Sequence, residues 1–403
     1  MLFAMPSEIP AEIRDAVATW LRERRDDLVW FLEQLVLAES PSSDPEAQQL
    51  VFALIARPLK RLGWRTVQAR GSVAGGWLLA RPPGRRRATQ LLLGHTDTVW
   101  AHGTLRTHPL AIDGDRVRGP GTYDMKAGLA QAVFALRALG DLGLPPSLDP
   151  VVFLNSDEEL GSITSTRHIQ RLAQVVRRAF VLEPSFGPEG ALKTARKGVG
   201  KYELTVEGRA SHAGLEPERG VSAIRALAEV IGQVYAAADG DDGVTVNVGW
   251  VEGGTRPNVV AAQARAVVDV RAPDPASAQR IDAALRAIRP GLPGARLFVH
   301  GGFTRPPMVR APVHAALYER ARSLAADLGF PLPEATAGGG SDGNTTSRFV
   351  PTLDGLGAVG DGAHAAHEHV RLDALVERAT LLALLLLLPE APLAPWDSRP
   401  PLS

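Results

Sequence analysis

The stretch that decides the fold is QLLLGHTD, residues Gln90–Asp97, where a short apolar run ends in a glycine and three polar residues. The same pattern returns in VVFLNSDEE, Val151–Glu159, and in AFVLE, Ala179–Glu183. Each apolar run has the length and composition of a buried strand, and Met125–Leu139 between them has the apolar content of a helix. Strands that alternate with helices indicate an α/β fold, with a mostly parallel sheet covered by helices on both faces.

Sheets of this kind bind ligands beyond the C-terminal ends of their strands. Polar side chains that follow the predicted strands are therefore candidates for a site, and these are His95, Glu158 and Glu183. The predicted strands are Trp77–Ala80, Gln90–Leu93, Val151–Asn155 and Ala179–Leu182, and the predicted helices are Met125–Leu139 and Leu160–Val176.

From about residue 197 to 302 the order of elements changes to β-α-β-β-α-β, which is typical of a ferredoxin-like unit. We expect a second domain inserted into the first, with domains at 1–196, 197–308 and 309–403. The predicted strands of the insert are Lys201–Gly208, Val244–Glu252, Ala262–Arg271 and Arg296–His300, and its helices are Arg219–Ala237 and Pro275–Ile288, the second opened by Asp274. The elements predicted after it are Val313–Leu328, Thr352–Leu356 and Leu372–Leu388.

Composition excludes several classes of protein. The 403 residues carry 44 basic and 44 acidic side chains, so the formal net charge is zero. The sequence therefore lacks the net basic charge that is typical of nucleic-acid-binding proteins. Cysteine is absent, which excludes disulfides, a cysteine nucleophile and thiolate metal sites. Any metal must therefore be held by His, Asp and Glu.

Nothing in the sequence resembles a membrane span or a secretory signal. The most apolar stretch, Leu381–Leu388, is far shorter than the roughly 20 residues that cross a bilayer, and we expect it in the core. The N-terminal sequence lacks a basic start followed by an apolar run, so the predicted location is the cytoplasm. The basic run Arg85–Arg87 is expected to be a solvated turn.

In the GHTD motif His95 leaves a strand, and Asp97 follows on the same side of an extended chain. His95 can offer a ring nitrogen to a metal, while Asp97 accepts the other ring N–H and fixes the tautomer. A structural histidine held by hydrogen bonds would give the same short motif. The motif alone leaves both interpretations open.

Two acidic motifs are equally ambiguous by themselves. Asp124, in the loop Gly119–Gly128, can be a metal ligand or the N-cap of the following helix. The acidic run Asp157–Glu159 can be a helix start stabilised by the helix dipole, or a set of carboxylates beside a cation. In the second case one carboxylate would bind metal and its neighbour would take a proton from bound water.

Histidines and glycines mark two C-terminal segments. His364, His367 and His369 lie within six residues and either bind a metal or form a solvent loop. The glycine-rich stretch Gly338–Gly343 lacks the Lys-Ser/Thr pair of a phosphate loop. We interpret it as a loop that lines a substrate cavity, with glycines for close backbone approach.

In order and context these motifs closely resemble one family, the dinuclear zinc exopeptidases and deacylases that include glutamate carboxypeptidase, acetylornithine deacetylase and succinyl-diaminopimelate desuccinylase. The resemblance runs from about residue 30 to 390, and the glutamate carboxypeptidase branch is nearest on Pro109–Gly121 and Gly338–Asp342. It is densest in G-H-T-D-T, G-P-G-T-Y-D-M-K-A-G, N-S-D-E-E-L-G-S, L-E-P-S, A-S-H-A-G, G-G-G-S-D and H-A-A-H-E.

The resemblance implies two zinc ions per chain, bridged by Asp124. His95 and Glu183 would complete one metal position, and Glu159 and His364 would complete the other. Cobalt or manganese could substitute for zinc. The donor set of carboxylates and imidazoles is consistent with such a pair of cations.

The resemblance also assigns roles around the metals. Glu158 would be the general base, and Asp97 would orient the metal ligand His95. His364 is preferred to His367 because the family spacing H-x-x-x-E is met by His364 and Glu368. The peptide bond after the bridging aspartate is expected to be cis, which is rare for a non-proline residue.

By the same resemblance the insert is a dimerisation domain that joins two chains into a homodimer. His212 would reach the active site of the partner subunit and stabilise the oxyanion; an inert histidine is the alternative. Arg271 would hold the substrate's free carboxylate through its two-pronged guanidinium, or else be a surface charge. The substrate-binding residues implied are Asn258, Arg271, Arg305, Gly339 and Gly340.

The function implied is metal-dependent hydrolysis of an amide bond next to a free carboxylate, releasing a C-terminal amino acid from a small peptide or N-acyl amino acid. An N-acyl amino-acid deacylase of the acetylornithine deacetylase or desuccinylase type is the alternative, because it cuts a similar bond. A non-catalytic binding protein on the same fold would lack Glu158 or a metal ligand, and none is missing. Neither nucleic acid nor membrane is expected as a partner.

Overall fold

The computed structural model describes residues 9–84, 88–241 and 243–390, so the basic run Arg85–Arg87 lies outside the described residues. The chain divides into two compact units. The first comprises residues up to Ala195, Arg310–Ala337 and the chain from Ser341, and the second comprises Arg196–Val309 and Gly338–Gly340. The glycines Gly338–Gly340 thus group with the second unit, whereas the sequence placed them in the C-terminal segment.

Helices and strands are numbered along the described residues. The helices are α1 (Ala11–Glu23), α2 (Arg25–Leu37), α3 (Ala47–Arg61), α4 (Ala127–Asp141), α5 (Thr166–Ala173), α6 (Ala223–Ala236), α7 (Pro275–Ala287), α8 (Pro312–Asp327), α9 (Gly343–Thr346) and α10 (Leu372–Leu387). The strands are β1 (Arg65–Ala69), β2 (Trp77–Arg81), β3 (Thr89–His95), β4 (Ala111–Asp113), β5 (Arg116–Arg118), β6 (Asp149–Asn155), β7 (Ala179–Val181), β8 (Leu192–Arg196), β9 (Gly198–Glu207), β10 (Thr245–Gly253), β11 (Gln263–Ala272), β12 (Arg296–Arg305), β13 (Glu334–Ala337), β14 (Thr352–Leu353), β15 (Gly360–Asp361) and β16 (His369–Arg371).

The main sheet of the first unit has the strand order β1-β2-β6-β3-β7-β14. Strands β6, β3, β7 and β14 run parallel, while β2 is antiparallel to both of its neighbours at one side of the sheet. Strands β3 and β6 are buried at nearly every position, as expected where helices cover both faces. The predicted α/β class with a mostly parallel sheet is confirmed.

Two hydrophobic clusters cover the two faces of this sheet. Leu92 of β3 packs into one cluster with residues of α1 to α4 and α10, whereas Leu91 and Leu93 pack into the other with Ile169 of α5. This division follows from the alternation of side chains along a strand. The apolar run Leu381–Leu388 lies in the first cluster, which confirms that it is core. Within the described residues, every helix is too short or too polar to cross a membrane.

The predicted helix Leu160–Val176 is wrong over its first part, because α5 begins only at Thr166. Gly161 has φ +90° and Ser162 has φ +55°, left-handed conformations that interrupt a right-handed helix. The amide of Ser162 instead donates to the carbonyl of Asp157 at 2.7 Å. The residues after β6 therefore form a tight turn that presents the acidic run.

Two other predicted elements are too long. The helix predicted from Arg219 begins at Ala223 as α6, since Ser222 caps it by accepting the amide N–H of Arg225 at 3.2 Å. The strand predicted over Thr352–Leu356 stops at Leu353 in β14.

The second unit has the element order β9-α6-β10-β11-α7-β12 and an antiparallel sheet in the order β10-β11-β9-β12. The predicted ferredoxin-like order is confirmed. Buried residues alternate along β9 and β11 and share a cluster with residues of α6 and α7. Asp274 caps α7 by accepting the amide N–H of Ser277 at 2.9 Å. Strand β10 forms one edge of the sheet and is exposed over much of its length.

Candidate metal centre

Four candidate side chains lie at the C-terminal ends of neighbouring parallel strands. His95 is the last residue of β3, Glu158 and Glu159 follow β6, and Glu183 follows β7. The register of the β3–β6 pair places His95 opposite Asn155, the last residue of β6. The strand ends are therefore level, at the edge where α/β sheets bind ligands.

Asp124 lies in the loop before α4. That helix begins at Ala127 without a side-chain cap, and Asp124 has a non-helical backbone with φ −113° and ψ 96°. The N-cap interpretation is therefore wrong. The peptide bond between Asp124 and Met125 is cis, which confirms the expectation drawn from the family resemblance.

The carboxylate of Asp124 lies between two imidazoles. Its Oδ1 is 3.2 Å from Nε2 of His95, and its Oδ2 is 3.4 Å from Nε2 of His364. Oε1 of Glu183 is 3.5 Å from the same nitrogen of His95, and Oε2 of Glu159 is 3.2 Å from that of His364. Two groups, each with one imidazole and two carboxylates, thus share Asp124.

These separations fit ligands around a metal ion. Nitrogen and oxygen ligands about 2.0–2.1 Å from a tetrahedral zinc stand about 3.3–3.4 Å from one another. Glu158 also belongs to the cluster, since it offers an oxygen within 4.8 Å of ligand atoms of His95 and Glu183. Oε1 of Glu159 is buried without a hydrogen-bond partner, as expected of an oxygen that a cation would satisfy.

The candidate ligands strongly perturb one another's protonation. Burial disfavours the ionised form of Asp124, yet hydrogen bonds from His364 and His95 hold the pKa of its carboxyl well below its usual range. Burial would lower the pKa of His95, but its carboxylate neighbours outweigh burial and raise it. Hydrogen bonds to Asp124 and Glu159 raise the pKa of His364 to about 10. A divalent cation needs neutral imidazoles, so its binding would release protons.

Asp97 connects the end of β3 to the acidic run. Its backbone carbonyl lies 3.0 Å from Nδ1 of His95, and its Oδ1 lies 3.4 Å from the same nitrogen. Its carboxylate accepts the amide N–H groups of Glu158 at 3.3 Å and Glu159 at 3.2 Å, and the hydroxyl of Ser42 at 2.8 Å. Sequence analysis missed Ser42, since a serine in a polar loop carries no distinguishing local pattern.

Asp157, the first residue of the acidic run, plays a different part from the two glutamates. Its Oδ2 accepts the amide and hydroxyl of Thr164 at 2.6 and 2.7 Å, and its Oδ1 accepts the hydroxyl of Ser165 at 2.6 Å. Asp157 therefore holds the turn that leads into α5.

The histidine cluster is divided in the same way. His364 contacts the carboxylates of the centre, as described above. The ring of His367 is 68% exposed, with Nε2 4.0 Å from the carboxylate of Asp361. Nδ1 of His369 contacts the backbone carbonyl of His367 at 3.0 Å. Among these three histidines, the geometry favours His364 as a ligand.

In the second unit, His212 and Asn258 lie on neighbouring segments. His212 pairs with Val259, and the amide of Ala213 donates to the carbonyl of Asn258 at 3.0 Å. Nδ1 of the exposed His212 ring accepts the amide N–H groups of Gly214 at 3.2 Å and Leu215 at 3.1 Å. In a neutral ring the proton therefore resides on Nε2, which makes that nitrogen a donor.

The candidate arginines lie at one end of the sheet in the second unit. Arg271 of β11 and Arg305 of β12 both pair with Val199 of β9, one on each side. The guanidinium of Arg271 donates to both carboxylate oxygens of Asp269, at 2.7 and 2.8 Å. In the loop that holds Gly339 and Gly340, the carbonyl of Gly339 accepts from Arg196 at 3.0 Å.

The chain matches a known protein family and is similar in sequence to a carboxypeptidase. A profile of the peptidase family M20/M25/M40 matches residues 91–388. Carboxypeptidase G2 of Pseudomonas sp. (strain RS-16) is 29% identical over 366 residues, covering 88% of each chain.

Two solved structures are similar over 90% of this chain and 98% of their own. One is aminopeptidase PepT from Bacillus cereus, with a TM-score of 0.72 and 22% identity. The other is the metallo-carboxypeptidase Sso-CP2 from Sulfolobus solfataricus, with a TM-score of 0.68 and 17% identity. At these identities the two structures bear on the fold alone.

Proposed function

The chain belongs to peptidase family M20/M25/M40, and from this premise we propose that it is a zinc-dependent hydrolase of an amide bond next to a free carboxylate. The observation that carries the proposal is the carboxylate of Asp124, with one oxygen 3.2 Å from His95 and the other 3.4 Å from His364. The proposed reaction releases a C-terminal amino acid, and the carboxypeptidase among its relatives supports that direction.

The proposed centre holds two zinc ions that share Asp124. His95 and Glu183 would complete the first metal position, and Glu159 and His364 would complete the second. Zinc bound there would acidify a water molecule and polarise the scissile carbonyl. The three carboxylates of this set would balance most of the positive charge of two divalent ions.

Glu158 is the proposed general base. It lies among the candidate ligands, and Asp97 fixes its backbone by accepting its amide N–H at 3.3 Å. The carboxylate of Glu158 would take a proton from the attacking water and deliver it to the leaving nitrogen. The adjacent Glu159 would bind metal, so the two glutamates would divide these tasks.

The proposed recognition of the substrate uses charge. Asp269 holds the guanidinium of Arg271 in one orientation, and such a guanidinium can bind a carboxylate through two parallel hydrogen bonds. Arg305, which pairs with the same residue of β9 from the other side, would add positive charge. The other proposed contacts are Asn258, Gly339 and Gly340. An N-acyl amino-acid deacylase is the second candidate function, since its substrates carry the same free carboxylate.

A substrate panel tests this proposal. Zinc-loaded enzyme is expected to hydrolyse dipeptides or N-acyl amino acids with a free carboxylate with a kcat/KM about 10- to 100-fold above that for the matching C-terminal amides, because hydrogen bonds to a charged group contribute about 1.5–3 kcal/mol. Arg271→Lys keeps the charge but loses the paired geometry, so it should reduce that preference. Equal rates on acids and amides, or a requirement for a free N-terminal amine, would contradict the proposal.

The proposed enzyme is a homodimer joined through its second unit. Strand β10 leaves one edge of that sheet open, and its Trp250 and Val251 are 46% and 53% exposed, which suits pairing with a second copy. His212 would donate its Nε2–H to the oxyanion formed in the partner subunit. The cytoplasmic location stays a prediction.

Mixing two inactive variants tests the shared site. His212→Ala and Glu158→Gln should each lose most activity as homodimers, yet a one-to-one mixture should recover about one quarter of the wild-type activity, since half of the dimers are mixed and each has one intact site. Native mass spectrometry would verify subunit exchange. A fully exchanged mixture no more active than its parents would show that His212 does not act across the dimer.

A further inference from the structure

Glu368 is a buried carboxylate that contacts four N–H donors. Glu368 is only 2% exposed. Its Oε1 accepts the amide N–H groups of Tyr123 at 2.8 Å and Asp124 at 3.0 Å. Its Oε2 accepts the amide of Gly121 at 2.9 Å and the indole N–H of Trp100 at 2.7 Å. Three of these four donors are backbone groups of the loop that carries Asp124.

The same residue is tied to the segment that carries His364. Glu368 follows His364 by one short turn, which is closed by a hydrogen bond from the Glu368 amide to the carbonyl of Ala365 at 2.9 Å. Its carbonyl also accepts the amide of Gly119 at 3.3 Å. Glu368 thus joins the loops of two candidate ligands that are distant in sequence.

We propose that Glu368 is a positioning residue that sets the placement of Asp124 against His364 and thereby forms the second metal position. The inference rests on the proposed function, because it takes both residues as metal ligands. Glu368 itself does not contact the metal or the substrate in this scheme. It acts through the backbone of Asp124.

The contacts require an ionised carboxylate rather than any polar group. A carboxylate offers acceptor sites on both oxygens, and each recorded contact of this side chain is with a donor. Glutamine has nearly the same shape, but its NH2 group would face two N–H donors in either orientation. The substitution therefore removes two hydrogen bonds and leaves their buried donors unpaired, which is costly.

The test compares Glu368→Gln with wild type in metal binding. We expect the dissociation constant of the more weakly bound zinc to rise about 10- to 100-fold, as for other residues that orient metal ligands. The measurement is zinc per chain by elemental analysis after equilibration against a graded chelator. Excess zinc should restore kcat in this variant, since the catalytic groups remain in place.

Glu39→Gln is the matched control. The carboxylate of Glu39 also accepts two loop amides, those of Gly103 at 2.8 Å and Leu105 at 2.9 Å, but that loop carries no candidate ligand. Zinc affinity should be unchanged in this variant. Glu368→Asp keeps the charge with a shorter reach and should weaken the second zinc, which provides a test if Glu368→Gln fails to fold.

Thermal unfolding separates positioning from a general structural role. In Glu368→Gln, or in Glu368→Asp, the rise in Tm on adding zinc should be smaller than in wild type. An equal fall in Tm with and without zinc, or wild-type zinc affinity in a folded variant, would overturn the inference. A wild-type chain that binds no zinc would instead contradict the proposed function, so the two failures are distinguishable.

Discussion

Glu158→Gln is expected to lower kcat about 10²- to 10⁴-fold while the zinc content stays at the wild-type value. The amide has the shape of the carboxylate but cannot accept a proton from water at neutral pH. Because the proposed base both activates the nucleophile and protonates the leaving nitrogen, the loss should lie near the upper end of this range. Steady-state kinetics with elemental analysis of the same preparation measures both quantities.

Asp157→Asn is the control for this variant. It changes the neighbouring carboxylate, which holds the turn into α5 through Thr164 and Ser165 rather than facing the candidate ligands. We expect lower stability but a kcat within a few-fold of wild type. Near-normal turnover in Glu158→Gln would show that another group is the base.

Removal of the metal is expected to abolish activity, and Asp124→Ala should lower bound zinc at both proposed positions. Asp124 contributes one oxygen to each group of candidate ligands, so its loss removes a ligand from both metal positions. Metal ions of this kind supply several kcal/mol of transition-state stabilisation, which corresponds to about 10³-fold or more in rate. Dialysis against chelator followed by stepwise return of zinc measures loss and recovery.

A pair of histidine variants refines this prediction. His364→Ala should lose the second zinc, whereas His367→Ala should keep both, since its ring is 68% exposed and 4.0 Å from Asp361. Turnover by protein shown to be free of metal would contradict the proposed mechanism. If His367→Ala lost a zinc ion and His364→Ala kept both, His367 rather than His364 would be the ligand of the second metal position.

The sequence predicted the candidate residues at the C-terminal ends of the parallel strands well, because the signals that mark them are local. Short apolar runs marked β3, β6 and β7, and the first polar residues after them included His95 and Glu183. The period-two alternation of the insert predicted its order of strands for the same reason. Helices α2 and α3 were not predicted, although the buried residues Val51, Ile55 and Leu59 of α3 recur at helical spacing.

What the sequence did not predict depends on contacts between distant residues. No local pattern distinguishes Asp157 from Glu158, since the difference arises from a turn in which Gly161 and Ser162 have positive φ. The four donors of Glu368 come from loops some 240 residues or more away in sequence. The sequence shows its spacing from His364, but its function as a hydrogen-bond acceptor depends on the folded chain.

The long separation between Glu183 and His364 also has a consequence for biosynthesis. The candidate ligands of the first metal position all leave the ribosome by Glu183, whereas the second position must wait for His364 and Glu368, roughly 180 residues and about 10–40 s later at ordinary translation rates. The ferredoxin-like unit is synthesised within that interval. A nascent chain would therefore carry the candidate ligands of the proposed first position before the segment that completes the proposed second position has been synthesised.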